Sequence, residues 1–258
     1  NGLVDRALAI TLSGPTPARL SPGLLPLSSG MQVLYATETA AGWFPFSTES
    51  GNFQATEIGN TDPRTGFVSA MTGTTGPSST QGMVVLEWDH SRTAGTVWSA
   101  WQLALHPVTA APGGMQRASS VPWSVIRQDG MGSPTSPPVD IRHGHRNPQL
   151  IWLSGKKRYL MVAENHEQSM PGITVATVNT DGTLATSQAL RFRGYSPRLA
   201  TTADGLALCF VQRDRSTDKG SISLSTSTDG TAWGPSRQLF PQLAHPKEVA
   251  LTGDGHGT

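Results

Sequence analysis

Glu164 closes an apolar run, Arg158-Tyr159-Leu160-Met161-Val162-Ala163, and is followed at once by Asn165 and His166. A carboxylate at the end of a hydrophobic strand, with an amide and an imidazole beside it, suits proton transfer. Hydrolysis of a glycosidic bond ordinarily needs two carboxyl groups, about 5–5.5 Å apart for retention or about 6.5–9.5 Å for inversion. Asp89 and Glu38 also close apolar runs, so either can be the partner of Glu164. Trp88, Trp98, Trp101, Trp123 and Trp152 offer indoles on which the apolar face of a sugar ring stacks. His143-Gly144-His145 brings two imidazoles together, but the spacing is not diagnostic of a ligand set, and neither a metal nor a cofactor is expected. Cys209 is the single cysteine, which excludes an intrachain disulfide and a cysteine-based zinc site. Its neighbours, Leu206 to Val211, read as a buried strand.

The composition narrows the setting of that chemistry. Charged residues make up 14% of the 258, against about 25% in an average globular chain. The net charge of +1 excludes a strong basic field, and with it a nucleic-acid partner. No stretch approaches the ~18 apolar residues of a membrane span. The 28 glycines and 19 prolines make a turn-rich chain rather than a disordered one. Sparse charge, 15 arginines against 4 lysines, and abundant Thr, Ser and Gly suit an exported β-protein, extracellular or at the cell surface. Asn1 is not an initiating methionine, which fits a product cut from a longer precursor.

The elements that position these groups come from a repeat. Asn147-Pro148-Gln149-Leu150 opens a copy that runs through Arg158–Glu164 and Gly172–Thr177 to Asp181-Gly182-Thr183. Ser196-Pro197-Arg198-Leu199 opens the next, through Leu206–Gln212 and Gly220–Thr226 to Asp229-Gly230-Thr231. Pro148 and Pro197 stand 49 residues apart, and Pro246 follows 49 further on. Earlier openings read at Ser21-Pro22, Asp62-Pro63 and His106-Pro107. Each copy holds runs of 4–7 residues rich in Val, Ile, Leu, Tyr and Thr between turn residues, the pattern of short antiparallel strands. Almost no helix is expected. Four short strands per repeat make an all-β chain, a β-propeller of five or six four-stranded blades, with six preferred. Residues 1–258 then form a single domain, in which 109–146 is either a long insertion or a weak blade. The last blade is incomplete or is shared between Asn1–Leu12 and His245–Thr258, which would hide the open sheet edges.

In a propeller the starts of the first strands and the ends of the second strands share one face of the central channel. The first-strand starts are Arg64, His145, Arg146, Tyr195, Arg198, His245 and Lys247. The second-strand ends are Glu38, Glu164, Asn165, His166, Gln212, Arg213 and Asp214, with Glu87, Trp88 and Asp89 in the corresponding place of the second copy. In this alignment Glu164 matches Gln212. Such a polar ring about a channel mouth is a small-ligand site.

Ser227-Thr228-Asp229-Gly230-Thr231-Ala232-Trp233 resembles an Asp-box, the turn motif of sialidase-like (BNR-repeat) propellers, and Asn179–Thr183 is similar without the serine and tryptophan. The phrase Tyr159–Glu164 followed by Gly172–Thr177 also resembles furanosidase-type glycosidase propellers. In such a turn Asp229 accepts backbone N–H bonds, Gly230 takes a positive φ and Trp233 packs between blades, so the motif serves the fold. The resemblance spans residues 147–251 and leaves three functions open. The first is glycan recognition at the channel mouth by Arg64, Trp88, His145, Arg146, Arg198, His245 and Lys247. The second is glycoside hydrolysis of sialidase or furanosidase type, with Glu164, Asp89 and Tyr195 as catalytic residues; a sialidase-like enzyme would use Tyr195 as nucleophile beside Glu164, Arg64, Arg146 and Arg198. The third is a non-catalytic scaffold or adhesion propeller, bound to a protein partner or to the rest of a cleaved precursor.

Overall fold

The computed structural model describes residues 23–36, 40–45, 56–60, 67–89, 99–112, 114–117, 124–126, 142–166, 172–190, 192–213, 219–244 and 246–251. Turn residues cut the apolar runs too short for helices, and the chain folds as strands. The first blade is β1 (Gly23–Leu27), β2 (Gly30–Ala36), β3 (Ala40–Pro45) and β4 (Thr56–Asn60), hydrogen-bonded in that order. The second is β5 (Phe67–Thr75), β6 (Gln81–Asp89) and β7 (Ser99–Ala111), with β8 (Gly114–Arg117) and β9 (Ser124–Ile126) both laid against β7. The third is β10 (Arg142–Leu153), β11 (Arg158–Asn165), β12 (Gly172–Val178) and β13 (Leu184–Leu190). The fourth is β14 (Tyr195–Thr202), β15 (Gly205–Arg213), β16 (Lys219–Ser227) and β17 (Arg237–Ala244). Pairing within blades is antiparallel. The start of β7 pairs in parallel with the start of β10, which ties the second blade to the third.

The molecule is therefore an all-β propeller, with four blades among the described residues. The expected five or six blades are not confirmed, and two of the six openings start no blade among the described residues. His106-Pro107 lies inside β7, with Pro107 opposite Met83. β9 pairs with Leu103–Leu105 and β8 with Val108–Ala111, so Pro107 falls in the gap between them. A residue without an N–H is tolerated where no outer strand calls for that donor. The residues after His245, Pro246–Leu251, form no strand. Blade sharing between the termini concerns residues outside the described ones. The sole helical element among the described residues is a 3₁₀ turn, Ser154–Lys156, and none of their helices is long and apolar enough to cross a membrane.

The core lies between blades. Leu25, Leu34 and Trp43 pack on Val84, Leu86 and Val108. Met83, Val85 and Leu105 pack on Tyr159, Met161 and Ala163. Leu160, Val162 and Val175 pack on Leu199, Leu208 and Phe210. Successive side chains of a strand point to opposite faces, so β11 sends Tyr159, Met161 and Ala163 to one junction and Leu160 and Val162 to the other. A strand buried on both faces needs an unbroken apolar run, and each fully buried large side chain stabilises by about 1.5–3 kcal/mol. Cys209 is buried in β15. In the 227–233 turn, Thr231 N donates to Asp229 Oδ1 at 2.8 Å and Gly230 N to Ser227 Oγ at 2.8 Å. Gly230 has φ 79°, and a Cβ there would press 3.0 Å from Leu160. Trp233 packs against the cluster between the third and fourth blades.

Candidate functional site

Asn147-Pro148 and Ser196-Pro197 shape the upper end of the channel. Arg146 pairs with Glu164, and Gln149 with Val162, so Asn147 and Pro148 together face Ala163. Tyr195 pairs with Val211, and Arg198 with Cys209, so Ser196 and Pro197 together face Phe210. Each Xaa-Pro is thus a β-bulge, as expected where proline withdraws a ladder donor. The residue before proline is left-handed in both, with φ 49° at Asn147 and 52° at Ser196. That conformation costs a non-glycine residue on the order of 1–3 kcal/mol and must be held from outside.

Two carboxylates hold it. Asn147 N donates to Glu87 Oε2 at 2.6 Å, and Ser196 N donates to Glu164 Oε1 at 2.7 Å. In each case a glutamate near the end of one blade's second strand accepts the amide that the next blade's bulge leaves out of the ladder. The two sites are joined, because Asn147 also donates its side-chain Nδ2 to Glu164 Oε1. His166 Nε2 stands 2.8 Å from Glu164 Oε2, and Arg146 Nε is 3.5 Å from Glu87 Oε1. Glu87 is 1% exposed and Glu164 4%. Burial pushes the Glu164 carboxyl up, but the hydrogen bonds from His166, Asn147 and Ser196 and the charge of His166 outweigh it. Glu164 is therefore held below the usual carboxylate range and is ionised at neutral pH. It can accept a proton or stabilise positive charge, and at neutral pH it has no proton to give.

The other expected residues fall as follows. His145 is buried beside this group, with Nε2 3.0 Å from Thr174 Oγ1. Burial and the nearby His166 lower its pKa to about 4, so it is a neutral wall residue rather than a cationic ligand contact. Arg146 is half-buried at the same end and can reach a ligand. Tyr195 donates its phenolic proton to Pro246 O at 2.6 Å. Arg198 donates Nη1 to Pro197 O at 2.8 Å, and Lys247 is exposed beyond β17. Trp88 and Asp89 close β6, their backbones opposite Gln102 and Trp101. Arg64, His245, Glu38 and Asp214 lie outside the described residues. The register also corrects the repeat alignment, since Glu164 occupies the place of Val211 and not that of Gln212. Gly205 belongs to β15, opposite Thr202, and not to the turn before it, which shifts the second strands by one residue. Asn147 and Ser196 escaped notice as site residues because they read as repeat punctuation. A short polar residue that tolerates left-handed backbone before proline was the available signal. No group of three His, Cys, Asp or Glu among the described residues could hold a metal ion.

No family model matches the sequence, and no curated protein matches it significantly. Solved structures do resemble the fold. The exo-β-1,3-galactanase of Phanerochaete chrysosporium superposes with a TM-score of 0.55 at 8% identity, over 92% of this chain and 53% of that one. This chain thus spans about half the length of the galactanase. The catalytic domain of a GH62 α-L-arabinofuranosidase from Coprinopsis cinerea gives 0.50 at 12% identity, over 97% and 78%. A family 117 glycoside hydrolase from Zobellia galactanivorans gives 0.50 at 11%, over 91% and 75%. At such identities the likeness establishes the fold, a β-propeller of the architecture these glycoside hydrolases share.

Proposed function

We propose that this chain is a glycoside hydrolase-type propeller that takes a carbohydrate at the channel mouth where β10 and β14 begin. The carrying observation is the convergence of two buried glutamates from adjacent blades, Glu87 and Glu164, on the single residue Asn147. The solved neighbours give that arrangement a chemical context, because they are glycoside hydrolases, and one was solved with β-1,3-galactotriose. Glu164 serves as the ionised carboxylate that accepts a proton or stabilises the oxocarbenium-like transition state. The acid that protonates the leaving oxygen is then a second carboxyl, for which Asp89 at the end of β6 is the candidate. Arg146 contacts substrate hydroxyls. Tyr195 spends its proton on Pro246, so the reading draws on carboxylates and not on a tyrosine nucleophile. The sparse charge and few lysines favour action outside the cell.

The test is mass spectrometry on the chain mixed with neutral arabino-, xylo- and β-1,3-galacto-oligosaccharides. Shortened products from the wild type, absent with Glu164→Gln at unchanged circular dichroism, are expected. One observation favours a second reading, glycan recognition without turnover: both oxygens of Glu164 already accept from protein donors. Retained, uncut sugars would decide for that reading. Neither signal would decide for a scaffold or adhesion propeller.

A further inference from the structure

Trp152 lies six residues beyond Arg146 on β10. At about 3.3 Å per residue that is ~20 Å from the carboxylates, at the opposite end of the strand. Two hollows meet at its indole. One, of about 340 Å³, is walled by the hairpins that follow β10 and β14 and by the turn after β16. The other, of about 520 Å³, is walled by the turns that follow β1 and β5. The first hairpins of all four described blades therefore surround this one side chain, at the lower mouth of the channel.

The indole is fixed in place. Its ring meets that of Tyr159 edge-on, with centroids 4.8 Å apart and planes at 65°. Tyr159 is buried, and its hydroxyl abuts the backbone of Gly76 so closely that a Cβ there would overlap it. Trp152 is only half-buried, which leaves ring surface free to face the hollows. Hydroxyl-bearing residues line the hollows, Thr201 and Thr228 on one side and Ser79 on the other. The charges in the wall, Lys156 and Asp229, close on each other at 3.1 Å. A rigid aromatic platform, a rim of hydroxyls and a self-neutralised ion pair match a ligand with an apolar face, a hydroxyl edge and no charge. A neutral sugar ring has that chemistry.

We propose that the lower channel mouth is a second carbohydrate site, in which a neutral saccharide stacks on Trp152 and bonds to the surrounding hydroxyls. It uses none of the upper carboxylates, so it holds whether or not Glu164 is catalytic. Gly155 lines the same hollow, and a Cβ built there meets nothing within 4 Å. Gly155→Leu therefore adds bulk at the edge of the hollow without disturbing packing.

The test is calorimetric titration of the full chain with xylohexaose, arabinohexaose and a β-1,3-galactohexaose, using Glu164→Gln as the background so that nothing is cut. Saturable binding of at least one of these at the Trp152 site is expected, in addition to any at the upper mouth. Trp152→Phe should weaken it about tenfold or more, a loss of ~1.4 kcal/mol. Gly155→Leu should abolish it at an unchanged melting temperature, and it decides the matter where Trp152→Phe folds poorly. Binding whose stoichiometry and affinity are both unchanged by Gly155→Leu, or no saturable binding of any of the three sugars, would overturn the proposal. Hydrolysis measured separately on the wild type bears only on the upper site, so the two readings fail independently.

Discussion

The junction between the second and third blades and the junction between the third and fourth are built on one plan. Each has a bulged Xaa-Pro, a left-handed residue before the proline, and a buried glutamate from the preceding blade that accepts its amide. They differ in what else the glutamate holds. Glu87 adds the guanidinium of Arg146, whose side chain is 36% exposed. Glu164 adds the Asn147 amide and the His166 ring, and is 4% exposed. The shared part is architecture, a clamp that fixes a strained bulge across a blade boundary. The unshared part, the Asn147 amide and the His166 ring on Glu164, ties the two clamps into one polar group.

Removing the two glutamates should separate these contributions most widely. Glu164→Ala leaves three protein donors without their acceptor, two of them side chains that pack around it. Glu87→Ala takes the acceptor from the Asn147 amide and the ion pair from the part-exposed Arg146. Losses of about 4 and about 2 kcal/mol are expected. At about 2–4 °C per kcal/mol for a chain near this size, the melting temperature falls by roughly 8–16 °C and 4–8 °C. Equal shifts in thermal melts would mean that the surplus contacts of Glu164 add nothing.

Acid should act on the same junction. The folded pKa of His145, about 4, lies below its ordinary 6.5, because burial and His166 oppose its charge. The unfolded chain therefore takes up this proton first. The contribution is complete above pH 6.5 and lost as the pH falls from 6.5 towards 4, by roughly 1.4 kcal/mol per unit and about 3 kcal/mol in all. Glu164 continues the trend at lower pH. Its folded pKa is lowered, so its contribution is present above the ordinary 4.5 and lost as the pH falls through the folded value. Denaturant melts between pH 7 and 4 should show the His145 slope, and His145→Gln should flatten it. A slope unchanged in that variant would assign the acid loss to other groups.

The clamp also marks how far the sequence could be read. The blades at Pro148 and Pro197, the buried run of β11, and Glu164 at a strand end were all legible, because turn residues and unbroken apolar runs report strand limits directly. His106-Pro107 misled because proline punctuates a strand only if its missing N–H is wanted. The gap between β8 and β9 removes that demand, and the gap depends on strands far along the chain. The match of Glu164 to Gln212 failed for a related reason. Whether Gly205 ends a turn or begins a strand is settled by its pairing with Thr202 and not by its own identity. Glu87 accepts the amide of Asn147, 60 residues away, and nothing local announces that. Composition and local pattern carry the blades, whereas the bonds between blades depend on how neighbouring blades are packed together.

The finest test of the comparison replaces the two left-handed residues by glycine. Both have a positive φ that glycine adopts freely, so each change relieves about 1 kcal/mol or more of backbone strain. Against that, glycine loses about 0.5–1 kcal/mol more chain entropy on folding. Ser196 is 2% exposed, and its hydroxyl has no hydrogen-bond partner among the described residues, so its removal sacrifices no bond. Ser196→Gly should leave stability within about 0.5 kcal/mol of the wild type, or raise it slightly. Asn147→Gly gains the same relief but removes the amide donor to the ionised Glu164, a bond worth about 1.5–3 kcal/mol. It should come out destabilised by about 1–2 kcal/mol. Chemical denaturation of the two variants reads the difference directly. If both were neutral, the Asn147 side chain would be a bystander, and only the His166 ring would set the Glu164 clamp apart.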